Sequence, residues 1–283
     1  MTVKSTPADI QVPARDIRFD LAIAKNGHWL GGDPVGTAVF NALSLTFPEG
    51  ERMFMDAVKN YRKDLTGKLA EDVRGFIAQE AIHSREHHQL NLLVDRERYP
   101  VSEIEALVKV RTDEARSRGP MAMLMATIAL EHFTAMMADV HADNVSLFDG
   151  VSPELERLWR WHAMEETEHK GVAFDVFMHA TRHWSPLRRY ARRVIAMALI
   201  TYMFTANITT YAARLLEADG YSPKAARKAV KNYVWRNPGI FSKGWRTYFS
   251  WYRPGFHPWD HDNRALIARW KEDFMTPKAA TGA

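Results

Sequence analysis

Two short motifs, Glu80-Ala81-Ile82-His83 and Glu166-Thr167-Glu168-His169, carry the strongest chemical signal in the chain. On an α-helix, residues three apart lie about 60° apart around the axis and about 4.5 Å along it, so a carboxylate and an imidazole at that spacing aim at one point. Each pair makes half of a metal site with oxygen and nitrogen donors. A single pair is a common accident; two pairs 86 residues apart, on separate helices, are far less so. A bundle that holds two metals takes one further Glu from each of its other two core helices. Glu131 supplies one of these. Every residue from Gly119 to Leu130 ahead of it is uncharged, and a lone carboxylate in such a segment is costly to bury unless a cation or partner meets it. The other comes from the segment around FPEGERMF, where Glu49, Glu51 and Asp56 compete. His162 precedes Glu166 by four residues, on the same helical face, and is read as an additional imidazole ligand. His87 follows His83 by four but sits in the charge-rich stretch HSREHHQLN, which reads as a solvated face.

The elements that must position these groups follow from helical periodicity, which dominates while strand-like alternation is scarce. Residues 1–34 read as an extended arm. The pattern predicts a first core helix over Ala38–Arg62, kinked or restarted at Phe47-Pro48-Glu49-Gly50. A second runs over Leu69–Arg98 and is followed by a short amphipathic piece over Ser102–Thr112. A third begins near Pro120 and reaches about His141, and a fourth runs from the cap Ser152 with Pro153 to Trp184. Residues 35–185 therefore form a four-helix metal-binding bundle, and residues 186–283 a helical extension packed on it. Within the extension, 194–213 carry no charge. That length could just span a bilayer, but its threonines and Asn207 favour a buried helix.

The 283 residues are 46% hydrophobic and 25% charged, enough for a large core. The net charge of +4 is too small to argue for nucleic acid. With no cysteine there is no thiolate nucleophile, iron–sulfur cluster or disulfide, so any metal is held by nitrogen and oxygen. The N-terminus has no apolar run after a basic start, and a reducing cytoplasm is the expected location. Nucleotide-binding glycine motifs and a nucleophile-elbow serine are absent, so any reducing equivalents must come from a separate electron-donor protein.

The order Glu51, Glu80 to His83, Glu131, Glu166 to His169 resembles the ferritin-like di-iron carboxylate proteins, and this resemblance selects Glu51 over its neighbours. His162, Glu166 and His169 are similar to a pattern in di-iron N-oxygenases that use an additional histidine. The stretches FNALSLTFPEGERMF, VRGFIAQEAIHSREHHQLN, WHAMEETEHKGVAFDV and YRPGFHPWDHDN resemble a bacterial family of predicted metal-dependent hydrolases over about residues 13–270. The expectation is an all-α, ferritin-like four-helix bundle holding two metal ions, iron first and manganese or zinc as alternatives, through Glu51, Glu80, His83, Glu131, His162, Glu166 and His169.

Such a pair can activate O2, or present a metal-activated water to an ester, amide or phosphate. Oxygen chemistry is preferred because the resembled bundles mostly bind O2. It also fits the apolar residues near the ligands, Phe76, Ile77, Leu130, Phe133, Met136, Met137, Phe174 and Phe177, which suit a hydrophobic small molecule. Hydrolysis is the alternative; iron storage is a third reading, disfavoured by the positive net charge. A homodimer and peripheral membrane contact through Arg182, Arg188, Arg189, Arg192 and Arg193 are further expectations. The loop from His257 to Asp262 reads as a helix cap. Arg74, Arg85, Asp139 and Asp175 are candidates to support the ligands, while Glu165 and Glu168 point to other faces.

Overall fold

A computed structural model describes residues 4–275, apart from 26 and 144. The described residues are α-helical with no strand, as expected for a helical bundle. The last eight residues of the predicted extension, and the first three of the arm, lie outside them.

Four helices form the core. α1 spans Pro34–Lys59, α2 Gly67–Asn91, α4 Pro120–Asp143 and α5 Pro153–His169, with α3 (Val101–Ser117) linking the second and third. Polar side-chain caps start two of them. Asp33 accepts from the Val35 amide ahead of α1, and Ser152 from the Leu155 amide ahead of α5, each with proline at the first helical position. Val39, Phe40 and Leu43 of α1, Val73 and Phe76 of α2, Leu124 and Ile128 of α4, and Leu155 and Leu158 of α5 are buried together. Each such side chain contributes about 1.5–3 kcal/mol when taken from water.

Three helix expectations are corrected. α1 runs unbroken through Pro48. Proline lacks the N–H that would bond the Ser44 carbonyl, and Asn91 Nδ2 of α2 donates to that carbonyl at 3.0 Å instead. Ser84 Oγ donates to the Pro48 carbonyl at 3.2 Å, so α2 stitches the proline turn from the side. α2 ends at Asn91 rather than Arg98, because Asp95 Oδ1 accepts from the amides of Glu97 and Arg98 and folds that stretch into a turn. The fourth helix breaks at Lys170 and Gly171, and α6 resumes over Val172–Ala180. A Cβ at Gly171 would collide with Thr6 Oγ1 and the Trp259 ring, so the break is where the arm and the C-terminal loop press in.

The C-terminal residues add α7 (Pro186–Ala218), α8 (Pro223–Trp235), α9 (Trp245–Ser250) and α10 (Arg264–Met275), with α7 laid along α1, α4 and α8. Two helices, α4 and α7, are long and apolar enough to cross a membrane by length and composition. α4 is mostly inside the bundle, 67% of its apolar window being buried, but only 17% of the α7 window is. The expected buried helix at 194–213 is thus half a surface helix: Met197, Ile208 and Ala212 face the core, while Ile195, Leu199 and Tyr202 face outward.

The N-terminal arm is extended and lies over the bundle. Its closest approach is at Gly75, where a Cβ would strike the Val12 carbonyl. From there Arg15 reaches into the bundle, bonding Glu165 at 2.7 Å and Glu168 at 2.7 and 2.8 Å.

Candidate metal centre

The seven predicted donors converge. Glu51 comes from α1, Glu80 and His83 from α2, Glu131 from α4, and His162, Glu166 and His169 from α5; all are buried. Donor atoms of Glu80, Glu131 and His169 lie within 4.8 Å of one another, as do those of Glu51, His83 and His162, and those of Glu80, His83 and Glu166. One end of the site thus gathers Glu80, Glu131 and His169, and the other Glu51, His83 and His162. Glu166 stands between them: Oε1 lies 2.9 Å from His162 Nε2 and 3.5 Å from His83 Nδ1, while Oε2 lies 3.5 Å from His169 Nε2. The carboxylate and imidazole of each motif do approach one another, but they do not make separate halves. Helix rotation sends His83 and His169 to opposite ends, with Glu166 between them and Glu80, at the His169 end, also within reach of His83.

Each imidazole has its outer nitrogen held, which assigns the tautomer that frees the inner one. His83 Nε2 donates to Glu165 Oε2 at 3.0 Å, leaving Nδ1 inward. His169 Nδ1 donates to Gln79 Oε1 at 2.9 Å, and Gln79 Nε2 in turn donates to Glu168 at 3.1 Å. His162 Nδ1 meets His87 Nε2 at 2.6 Å, and His87 Nδ1 meets Ser44 Oγ at 2.9 Å, which donates on to Asn91 Oδ1 at 2.7 Å. His87, expected on a solvated face, is therefore fully buried and orients His162. The i+4 spacing that placed it beside His83 was visible in sequence, but the charged neighbours hid it. Glu165 and Glu168 are not among the converging donors, as expected, yet they hold the rings that are. Their charges are met by Arg15 from the arm and, at Glu168, by Lys271 of α10 at 2.9 Å. Nothing local in the sequence linked Arg15 to a position 150 residues away.

Nine donor atoms in this cluster are buried without a hydrogen-bond partner: both oxygens of Glu51, Glu80 and Glu131, Glu166 Oε2, His83 Nδ1 and His169 Nε2. Orphaned polar atoms are costly, and so many facing one another make a donor set suited to a cation. Four carboxylates with three neutral imidazoles also balance the charge of two divalent ions. Burial first, and for Glu80 and Glu131 the neighbouring carboxylates, push Glu51, Glu80 and Glu131 well above the usual carboxylate range. Burial also opposes the Glu166 anion, but the adjacent His169, His162 and His83 rings outweigh it and hold that carboxyl well below. Burial disfavours the His83 cation, yet Glu165 and Glu166 raise it to about 10, whereas burial and the His83 charge take His162 down to about 4. The donor set of hard carboxylates and borderline imidazoles suits iron, manganese or zinc.

Other candidates fall away from the site. Arg85 pairs with Asp16 and Glu86. Asp139 bonds Asn263 and Thr247, and Asp175 bonds Thr6 and His257. The loop from His257 is a cap, its ring accepting from the Trp259 amide and Asp260 accepting from the His257 amide. Of the apolar neighbours expected at the site, Phe76 packs on His169 with centroids 4.9 Å apart, but Phe133 packs against Phe204 and Phe174 meets Trp251 edge-on. The rings that enclose the imidazoles are instead Phe47, Trp159 and Trp161.

A cavity of about 400 Å³ lies between α1, α3, α4 and α7. Glu51 alone of the seven donors lines it; Met53, Phe54, Met125, Leu130 and Ile208 make its walls apolar. Its size suits a small ligand.

No curated protein and no solved structure matches this chain. The sequence profile described as "predicted metal-dependent hydrolase" matches residues 13–262. The buried carboxylate and imidazole donors fit that description, and the chain belongs to the family of predicted metal-dependent hydrolases.

Proposed function

We propose that this chain is a two-metal hydrolase acting on an ester or amide with a substantial apolar part. The observation that carries the reading is the set of nine unpartnered, inward-facing donor atoms next to an apolar cavity. The family description supports hydrolysis. Glu51, His83 and His162 would hold one ion, Glu80, Glu131 and His169 the other, with Glu166 shared. Bound divalent ions would supply Lewis acidity and a water of lowered pKa. The chain's own part is to fix the donors and exclude bulk water. Glu165, Gln79 and His87 hold the three rings, and Phe47, Trp159 and Trp161 seal one side of them. The cavity beyond Glu51 seats the apolar group so that its reactive carbonyl meets the site from the Glu51 side.

A second reading, O2-dependent oxidation of an apolar molecule with electrons from a separate protein, is favoured by the carboxylate-rich donor set, which suits iron, and by the resemblance to ferritin-like di-iron proteins and N-oxygenases. Reconstitution distinguishes the two. Zinc- or manganese-loaded protein should cleave medium-chain esters, and Ala126→Phe, in the cavity wall, should raise KM without changing metal content. Oxygen consumption by the Fe(II)-loaded protein, with no esterase activity on any metal, would overturn hydrolysis in favour of oxidation.

A further inference from the structure

We propose that the outward face of α7, with α9 beside it, docks on an anionic lipid bilayer, and that the cavity draws an acyl-chain lipid from that bilayer as its substrate. The substrate half rests on the two-metal reading above; the docking half does not.

The face itself is unusual for a helix of a bundle. Leu187, Ile195, Leu199 and Tyr202 are each more than half exposed, and with Ala191, Ala198 and Ala206 they fall on one side of the helix. α9 extends this surface. Tyr248 meets Thr201 Oγ1 at 2.9 Å, and its neighbours Phe249 and Trp245 are more than half exposed. Tyrosine and tryptophan among aliphatic side chains match the boundary between headgroups and acyl chains. α7 does not span, because its opposite face is packed on α1, α4 and α8.

Charge selects the occupant. Residues 176–259 carry 14 basic side chains and only two acidic ones, Glu217 and Asp219, leaving 24 basic against 32 acidic in the rest of the chain. Two of the five arginines expected in the basic cluster turn inward: Arg193 is buried against Phe174, Trp251 and Phe256, and Arg189 bonds the Thr181 carbonyl. Arg188 and Arg192 remain exposed on the apolar face, and Arg246 stands beside Trp245. Anionic headgroups attract such a surface. A second copy is disfavoured, since a twofold contact would bring two patches of the same positive sign together.

The face and the site are connected. Ile195 and Leu199 are exposed and also line the cavity, whose wall includes Glu51. A lipid tail leaving the bilayer at these residues enters an apolar space that ends at a candidate ligand, without crossing water.

Flotation of the metal-loaded full chain with vesicles tests this. Binding is expected to vesicles of phosphatidylcholine mixed with phosphatidylglycerol, and to weaken with salt, but not to phosphatidylcholine alone. Leu187→Glu with Tyr202→Glu and Phe249→Glu, none of which lines the cavity, should reduce binding about tenfold or more with helicity and metal content kept. Arg188→Glu with Arg246→Glu should remove the preference for the anionic lipid. Absence of flotation at low salt, or a dimer that the same substitutions turn into monomers, would overturn the docking. Flotation needs no turnover, so that failure would leave the two-metal reading standing, and loss of metal-dependent activity would leave the docking standing.

Discussion

Stripping the metals should make the protein's stability fall as the pH rises from 7 to 8. In the folded, metal-free protein burial raises the carboxyls of Glu51, Glu80 and Glu131 well above their ordinary range, so they hold protons to higher pH than they do in the unfolded chain. His83, raised to about 10, likewise stays protonated when folded and loses its proton when unfolded above its ordinary value. For each such group the stabilisation is complete below the unfolded pKa and is lost as the pH climbs through the folded one. Glu166, held well below its ordinary value, and His162, taken down to about 4, are in the same state folded and unfolded above pH 7 and add no slope. One retained proton costs about 1.4 kcal/mol of stability per pH unit. In a chain of this size that is a fall of about 3–6 °C in Tm per unit, and all four groups are buried, so solvent screening does not reduce it. Bound ions displace the carboxyl protons, which removes their share of the slope and adds about 2.7 kcal/mol at an ion concentration of about 100 times Kd. Melting followed by circular dichroism at pH 7 and 8, with chelator and with divalent metal, gives both numbers. Glu131→Gln should abolish metal stabilisation. A metal-free Tm that is flat or rises over this range, or curves that superpose with and without metal, would refute the reasoning.

Glu165→Gln removes the anion behind His83 and should weaken metal binding about 10–100-fold with helicity intact, as read by competition with a chromogenic chelator. Asn91→Leu leaves the Ser44 carbonyl orphaned beside Pro48 and breaks the chain that ends His87's hydrogen bonds; urea unfolding should show a loss of about 1–3 kcal/mol. Gly75→Ala forces a Cβ into the Val12 backbone. It should cost about 1–3 kcal/mol and speed trypsin cleavage at Arg15 and Arg18 as the arm lifts; unchanged cleavage would sink that account.

The converging donors were legible because helical spacing is local. Three- and four-residue intervals in α2 and α5 put Glu80 with His83, and His162 with Glu166 and His169, on shared faces whatever the rest of the chain does. Glu131 announced itself by its uncharged surroundings. Glu51 did not, since Glu49 and Asp56 are as close to the apolar positions, and only the resemblance separated them; in the structure Glu49 turns outward to pair with Arg52. The helix start at Ser152 was equally readable, because capping depends on a few adjacent residues.

Tertiary packing decided everything that depends on distant partners. Pro48 read as a break because a proline removes one hydrogen bond, and no local pattern says that Asn91 of another helix will replace it. His87 looked solvated beside His88 because burial of a position is set by which helix arrives to cover it. The apolar run in α7 looked like core because composition fixes how greasy a helix is but not how much of it is covered; only the placement of α1, α4 and α8 left one face bare. The composition of this chain determined that any metal would be held by oxygen and nitrogen, and its periodicity determined which side chains were available. Which imidazole serves which end of the site, and what lies behind each ring, are set by the rotation and register of four packed helices, quantities that no interval along one helix contains.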